Sequence, residues 1–326
     1  MTLSFGSAAV CTAAAYVGKK EKAGPLGDWF DNYSDDTTFG EDSWEKAETQ
    51  LQKRAMRAAA DRAGLSYADI DVFFGGDLQA QCTATAYAVR DAARPFIGLY
   101  GACSTLSLAL LQAAAWVEAS FAARAAAVTS SHFAAAERQF RFPLEYGSQR
   151  CPTAQWTVTG AGCVIVDRGK GVRITGGTVG RPVDLGVCDI NNMGAAMAPA
   201  AADSIERHLR AAGTAPADYD AIVTGDLGSV GSDILLELLQ KRGLALANHA
   251  DCGKLIYDLN DDVGAGGSGC GCSASVFCAH YYPRLLCGEL RRMLLCATGA
   301  LMSVPTFQQG ESIPGICHVV ELTSPR

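Results

Sequence analysis

The chain is written twice, and this duplication limits its possible folds more than any other feature. Ala63-Gly64-Leu-Ser-Tyr-Ala68-Asp69-Ile-Asp71-Val-Phe-Phe-Gly-Gly76-Asp77-Leu78 returns as Ala212-Gly213-Thr-Ala-Pro-Ala217-Asp218-Tyr-Asp220-Ala-Ile-Val-Thr-Gly225-Asp226-Leu227, at a constant offset of 149 and with eight of sixteen positions identical. Each copy follows a helical pattern, over Trp44 to Ala63 and Ala195 to Ala212, and passes through a glycine turn into a short apolar strand. A second correspondence sets Gly101-Ala-Cys103-Ser-Thr-Leu-Ser107 against Gly269-Cys-Gly271-Cys-Ser-Ala-Ser275, each opening an Ala-rich helix. Both helices lead through Arg124 or Arg292 into strands, Ala125 to Ser130 and Met293 to Thr298. The halves close on the strands Gly162 to Val166 and Ile316 to Val320. The prediction is an α/β fold of two βαβ-rich halves, residues 1–170 and 171–326, related by a pseudo-twofold axis.

Small residues suit such packing: the chain carries 54 Ala and 35 Gly in 326 positions, which lets helices lie close on sheets. With Lys+Arg 27 against Asp+Glu 34 the formal charge is −7, the wrong sign for holding a polyanion by counterion release, so no nucleic-acid partner is expected. The first twenty residues lack a basic start ahead of their apolar run, and no signal peptide is expected. The apolar stretch from Leu106 to Val128 is broken by Gln112, Glu118 and Arg124 and reads as a buried helix rather than a membrane span. Thirteen cysteines, odd in number and set in apolar or Gly-rich runs, read for the most part as buried thiols of a chain made in a reducing cytoplasm. Cys270 and Cys272 are spaced too tightly for a zinc site, and no metal or cofactor is expected.

Cys103 is the first candidate for chemistry. It follows a strand, Pro95 to Tyr100, at a turn that opens a long apolar helix, where unpaired N–H groups and the helix dipole favour a thiolate or a carboxylate placed beside it. A cysteine nucleophile needs a base, and of the five histidines His208 falls on the polar face of a helix, His249 in a surface loop and His280 at a far helix end. His318 reads as a buried histidine of the last strand. His132 is better placed, at the head of a segment that carries Glu137, Arg138, Phe140, Arg141, Phe142, Glu145 and Tyr146. Arginines interleaved with aromatic rings suit a planar carboxylated ligand; the same residues also suit salt bridges to Glu137 or Glu145 that tie down a loop. Gly264 to Cys272, including Gly267 and Ser268, is too poor in context for a dinucleotide site and instead brings backbone close to a ligand opposite Cys103. Asp77 and Asp226, equivalent in the two copies, can act as acids or bases or can organise the strand-end loops.

Gly-Ala-Cys103-Ser-Thr opening a buried helix in a duplicated α/β chain resembles the thiolase and ketoacyl synthase superfamily, which implies a layered αβαβα sandwich with a nucleophilic Cys at this place. More narrowly, Lys22 to Gly27, Gly76 to Leu78, Gly101 to Thr105, Ser130 to Gly147, Thr178 to Arg181, Met197 to Asp203, Gly225 to Leu227 and Glu311 to Pro314 resemble the stage V sporulation AD family of spore-forming bacteria. That resemblance implies a protein of the spore dipicolinic acid uptake system, which binds pyridine-2,6-dicarboxylate and works with membrane partners of the same operon. It also implies peripheral association with the forespore inner membrane, and superfamily pairing habits imply a homodimer. The His and Asn that condensing enzymes place in the second half are missing near Gly225-Asp226-Leu227 and the Gly266 to Gly269 loop, so a binder rather than an enzyme is expected. Cys103, with His132 and Arg138 brought near it by the superfamily fold, together with Arg141, Asp226, Gly267 and Ser268, is the expected ligand site. The competing expectation is an acyltransferase or thioesterase acting through Cys103 on acyl-CoA. Asp77, Asp226 and Asp261-Asp262 form no recognisable calcium loop, which leaves open whether calcium enters with the ligand.

Overall fold

The repeated motif shows why the two halves fold alike, because its glycine at the helix end and two of its aspartates perform the same task twice. The computed structural model describes residues 1–140 and 150–325. Gly64 and Gly213 sit just past the ends of helices at φ of 66° and 65°, a left-handed conformation that glycine adopts without a steric penalty. The Asp69 carboxylate accepts the backbone N–H of Ser66, and that of Asp218 accepts the N–H of Ala215, both at 2.8 Å. Asp71 then accepts the N–H groups of Ala123 and Arg124, and Asp220 those of Arg291 and Arg292, so each aspartate pins the start of the parallel strand that pairs beside its own.

The first half runs β1 (Thr2–Ser4), β2 (Ala9–Gly18), α1 (Lys19–Lys22), β3 (Tyr33–Ser34), α2 (Trp44–Arg62), β4 (Val72–Gly76), α3 (Thr83–Ala92), β5 (Phe96–Gly98), α4 (Thr105–Glu118), β6 (Ala125–Ser131), α5 (Phe133–Phe140), β7 (Trp156–Thr157) and β8 (Gly160–Asp167). The second runs β9 (Val172–Thr178), α6 (Met193–Ala212), β10 (Ala221–Thr224), α7 (Gly228–Lys241), β11 (His249–Asp251), α8 (Cys252–Ile256), β12 (Gly267–Ser268), α9 (Cys270–Val276), α10 (Tyr282–Leu286), β13 (Arg292–Ala300), α11 (Val304–Gln308) and β14 (Gly315–Thr323). The strands pair in the order β11-β10-β13-β14-β9-β2-β8-β6-β4-β5, a palindrome about the antiparallel β2–β9 contact at Ala9–Arg173 and Val10–Val172. In each half the parallel strands carry the helices, while β8 and β14 return antiparallel.

Helix α4 is apolar nearly all round, the pattern of a helix buried on every side. It packs on β4, β6 and β8 of the first half and on β13 and β14 of the second, so the two half-sheets face each other across it. Helix α9 lies on β2, β6 and β8, while α2 and α3 cover the outer face of the first half and α6 and α7 that of the second. The result is the layered αβαβα arrangement. Leu106, Leu110 and Val117 are fully buried, each contributing about 2 kcal/mol of apolar burial. The Leu106 to Val128 stretch is helical only to Glu118 and then turns into β6, and no described helix is long and apolar enough to cross a membrane.

Three histidines are placed differently from the sequence reading. His208 is buried rather than on a polar face, because α6 packs on β14 through that side and the ring bonds Thr178 and Glu321. His249 belongs to edge strand β11 and bonds Thr224 at 2.9 Å. His280 lies in a π-turn after α9, its ring 4.6 Å from that of Trp29. All thirteen cysteines are free thiols, nine of them buried. Among the described residues no cluster of His, Cys, Asp or Glu could hold a metal ion.

Candidate functional site

The parallel strands of both halves direct their C-terminal ends towards one region, and Cys103 lies there. The turn before α4 is held by its own side chains: Ser104 Oγ donates to Gly101 O and Thr105 Oγ1 to Ala102 O, both at 2.6 Å. Ala102 is forced to φ 49°, a strained setting for a residue with a Cβ and one that marks functional turns in many folds. Cys103 is 7% exposed, with Sγ 3.9 Å from Ser268 Oγ and packed with Leu78, Ala136 and Cys270.

Ser268 in turn donates to Asp226 Oδ2 at 2.8 Å, and the same oxygen accepts Gly269 N–H at 3.1 Å. The other oxygen accepts Thr298 Oγ1 at 2.8 Å. Asp226 therefore ties the strand-end loop after β10 to the loop before α9 and to β13, and its carboxylate faces the Cys103 thiol. Burial raises the thiol pKa well above its ordinary value of 9.0, and the Asp226 carboxylate raises it further. The expected thiolate is thus disfavoured: a helix N-terminus worth a fraction of a unit charge is outweighed by desolvation and a facing acid. Asp226 is itself shifted upward by burial, with its hydrogen bonds opposing the shift.

His132 and Arg138 are not drawn to Cys103. The His132 Nε2 lies 2.8 Å from Thr37 O, and its ring stacks on Trp44 at 5.5 Å. Burial lowers its pKa. Arg138 pairs with Glu45 at 3.1 Å, both side chains about half exposed. The reason is the helical turn of α5: Ala136 and Phe140 face the Cys103 cluster, which turns Arg138 outward. Gly267 is engaged through its backbone, pairing with Trp156 across β12–β7 and accepting Gln155 Nε2 at 3.0 Å. Arg141, with Phe142, Glu145 and Tyr146, lies outside the described residues. The remaining histidines bond Thr178 and Glu321, Thr224, Arg284 and the Gly180 N–H, so no imidazole is bonded to Cys103.

Beside Ser268 opens a narrow cleft of about 80 Å³. Ala136, Phe140, Ile190 and Met193 give it apolar walls, and Gln155, Thr157, Asn191 and Glu137 give it polar edges. Gln155 is fixed by two bonds from its amide nitrogen, to Asp226 O at 2.7 Å and Gly267 O. Glu137 is 3.4 Å from Arg150, whose guanidinium lies over Trp156. Sequence reasoning missed Gln155 and Asn191, which carry no motif.

It also missed a buried polar network behind the cysteine. Glu48 accepts Ser130 Oγ at 2.8 Å and Gln79 Nε2 at 2.9 Å; Gln52 reaches Thr85 and Ser130; Asp77 accepts Gln79 N–H and both the N–H and Oγ1 of Thr85. Burial, then the Asp77 charge, raises Glu48 from 4.5 to about 8. A signal existed: Glu48 and Gln52 are four apart on the face of α2 that buries Leu51 and Ala55.

Known proteins share this architecture. A variant of OleA from Xanthomonas campestris superposes with a TM-score of 0.67 at 12% identity, covering 98% of this chain and 97% of that one. The 3-oxoacyl-(acyl carrier protein) synthase III, FabH, of Pseudomonas aeruginosa PAO1 gives 0.61 at 18% identity, covering 98% and 99%. Likeness at this level establishes the thiolase-like fold alone. Sequence reaches further: stage V sporulation protein AD of Bacillus subtilis (strain 168) is 46% identical over 313 residues, spanning 95% of this chain and 93% of that one. The profile of the same family matches residues 1–323, and the chain belongs to the stage V sporulation protein AD family.

Proposed function

We propose that this chain is a non-catalytic member of its fold that binds dipicolinic acid and supports its uptake into the developing spore, together with membrane partners. The observation that carries the reading is the setting of Cys103: the thiol faces a hydroxyl and a carboxylate, and every described histidine is bonded elsewhere. A cysteine that attacks an acyl group needs a base and a lowered pKa. This one has an acid that raises it. The cleft at Ser268 supplies apolar walls for a ring and amide and hydroxyl groups at its edges, and at about 80 Å³ it must widen to admit a ring that carries two carboxylates. Arg150 offsets the Glu137 charge there. Family membership supports the sporulation role. Edge strand β5, with Tyr87 and Tyr100 exposed nearby, supports a homodimer formed through the sheet edge.

Calorimetric titration with dipicolinic acid, with and without calcium and with benzoic acid as control, tests this. Saturable heat for the diacid alone, weakened at least tenfold by Asn191→Ala or Ser268→Ala, is the expected result; a flat trace at millimolar ligand rejects it. One observation favours a second reading, a Cys103 acyltransferase: the strained Ala102 presents the thiol at the start of α4. A covalent acyl group on Cys103 after incubation with acyl-CoA would establish that reading.

A further inference from the structure

At the opposite end of the sheet from Cys103, the turn between β8 and β9 and the outer ends of β13 and β14 form an open groove of about 750 Å³. Arg292 begins β13 six residues before Thr298, which bonds Asp226, so the groove lies about 20 Å from the cysteine site at the rise of an extended strand. Three cations from separate strand ends converge here: Lys170 on the turn, Arg173 on β9 and Arg292 on β13. Each is set by the fold. Gly171 fixes the turn, since a Cβ there would lie 1.8 Å from Val10 O. Arg173 is held by Gly6 O, a neutral partner, and forms no ion pair among the described residues. Arg292 lies over the Tyr219 ring at 4.6 Å.

Among the described residues the single acid in the groove wall, Glu321, has both oxygens committed. One accepts Thr175 Oγ1 at 2.8 Å and Arg292 at 2.9 Å, and the other meets His208 and the Tyr219 hydroxyl. It neutralises Arg292 and turns its remaining capacity inward, so Lys170 and Arg173 leave a local excess of positive charge in a chain whose net charge is −7. Thr323 adds a hydroxyl to the wall. Guanidinium and ammonium donors around an open, hydroxyl-edged groove match the tetrahedral oxygens of a phosphate group. We propose that this groove binds a phosphate group, borne either by a soluble phosphate or by the headgroup of an anionic lipid.

The test uses the whole chain and the double variant Lys170→Gln/Arg173→Gln, whose exposed positions are expected to leave the thermal midpoint in chloride nearly unchanged. Inorganic phosphate is titrated against chloride at matched ionic strength, and in parallel the protein is co-sedimented with phosphatidylglycerol-containing and pure phosphatidylcholine vesicles. Saturable phosphate binding that weakens at least tenfold in the variant supports a soluble ligand. Selective binding to the phosphatidylglycerol vesicles, lost in the variant and without free-phosphate binding, supports the headgroup. Absence of both, or binding that the variant retains, overturns the proposal. Because the dipicolinate cleft is remote, the variant's affinity for that ligand is expected to be unchanged, which separates the two readings.

Discussion

The two halves share a frame and differ at its functional end. Asp77 and Asp226 occupy equivalent places in the repeat, yet Asp77 bonds within its own loop, to Gln79 and Thr85, while Asp226 reaches across to Ser268, Gly269 and Thr298. The loop-holding task in the second half has passed to Asp251, which accepts Leu227 N–H at 2.8 Å and Gly228 N–H at 3.0 Å. At the helix start, Cys103 aligns with Gly271, and a Cβ built on Gly271 would lie 2.2 Å from Gly160 O. A duplicated chain thus kept its hydrogen-bonded scaffold twice and left room for one side-chain site. The second half supplies Asp226 and Ser268 to the first half's cysteine.

The sharpest way to break this comparison is to exchange the paired positions. Gly271→Ala drives a methyl into the β8 backbone and is expected to cost several kcal/mol, about 3 or more, whereas Cys103→Ala removes a small thiol for about 1 kcal/mol. Denaturant midpoints of the two variants check it, and equal losses would show that α9 yields. Next come the aspartates. Asp226→Asn removes the charge that faces Cys103 and is expected to speed its alkylation at mildly alkaline pH, because that carboxylate holds the thiol pKa up. Asp77→Asn leaves that rate alone. Peptide-resolved mass spectrometry reads both.

The first-half network carries a pH signature. Glu48 is shifted from 4.5 to about 8, so the folded chain holds a proton that the unfolded chain releases. Its contribution is fully present below pH 4.5 and is lost as pH rises through about 8. Thermal midpoints are expected to decline across that window, and Glu48→Gln should flatten the decline; an unchanged slope would assign it elsewhere. The smallest effect belongs to Arg138. Its exposed pair with Glu45 is worth less than about 1 kcal/mol, and Arg138→Ala is expected to leave both stability and dipicolinate affinity almost unchanged. A large loss of affinity would return that arginine to the ligand site.

The frame was legible because repetition exposed it. Gly64 and Gly213, Asp69 and Asp218, and Asp71 and Asp220 recur in sequence because each meets the same geometric demand twice. Ser268 opposite Cys103 was legible from its Gly-rich loop, and Asp226 from its place in the repeat. What could not be read depended on side-chain direction and distant partners. His132 sits one residue past β6, and only the positions of Thr37 and Trp44 decide that its ring turns away from the cysteine. His208 looked solvent-facing on a helix whose partner, Glu321, lies 113 residues on.

On the proposed reading, Cys103 keeps its position in the fold without its reactivity. The most direct test is the intact mass of the whole chain after incubation with acetyl-CoA, followed by peptide mapping of Cys103. An unmodified mass is expected for the wild type. An acetyl group on Cys103, absent from Cys103→Ala, would contradict it and make Asp226 and Ser268 parts of a catalytic site.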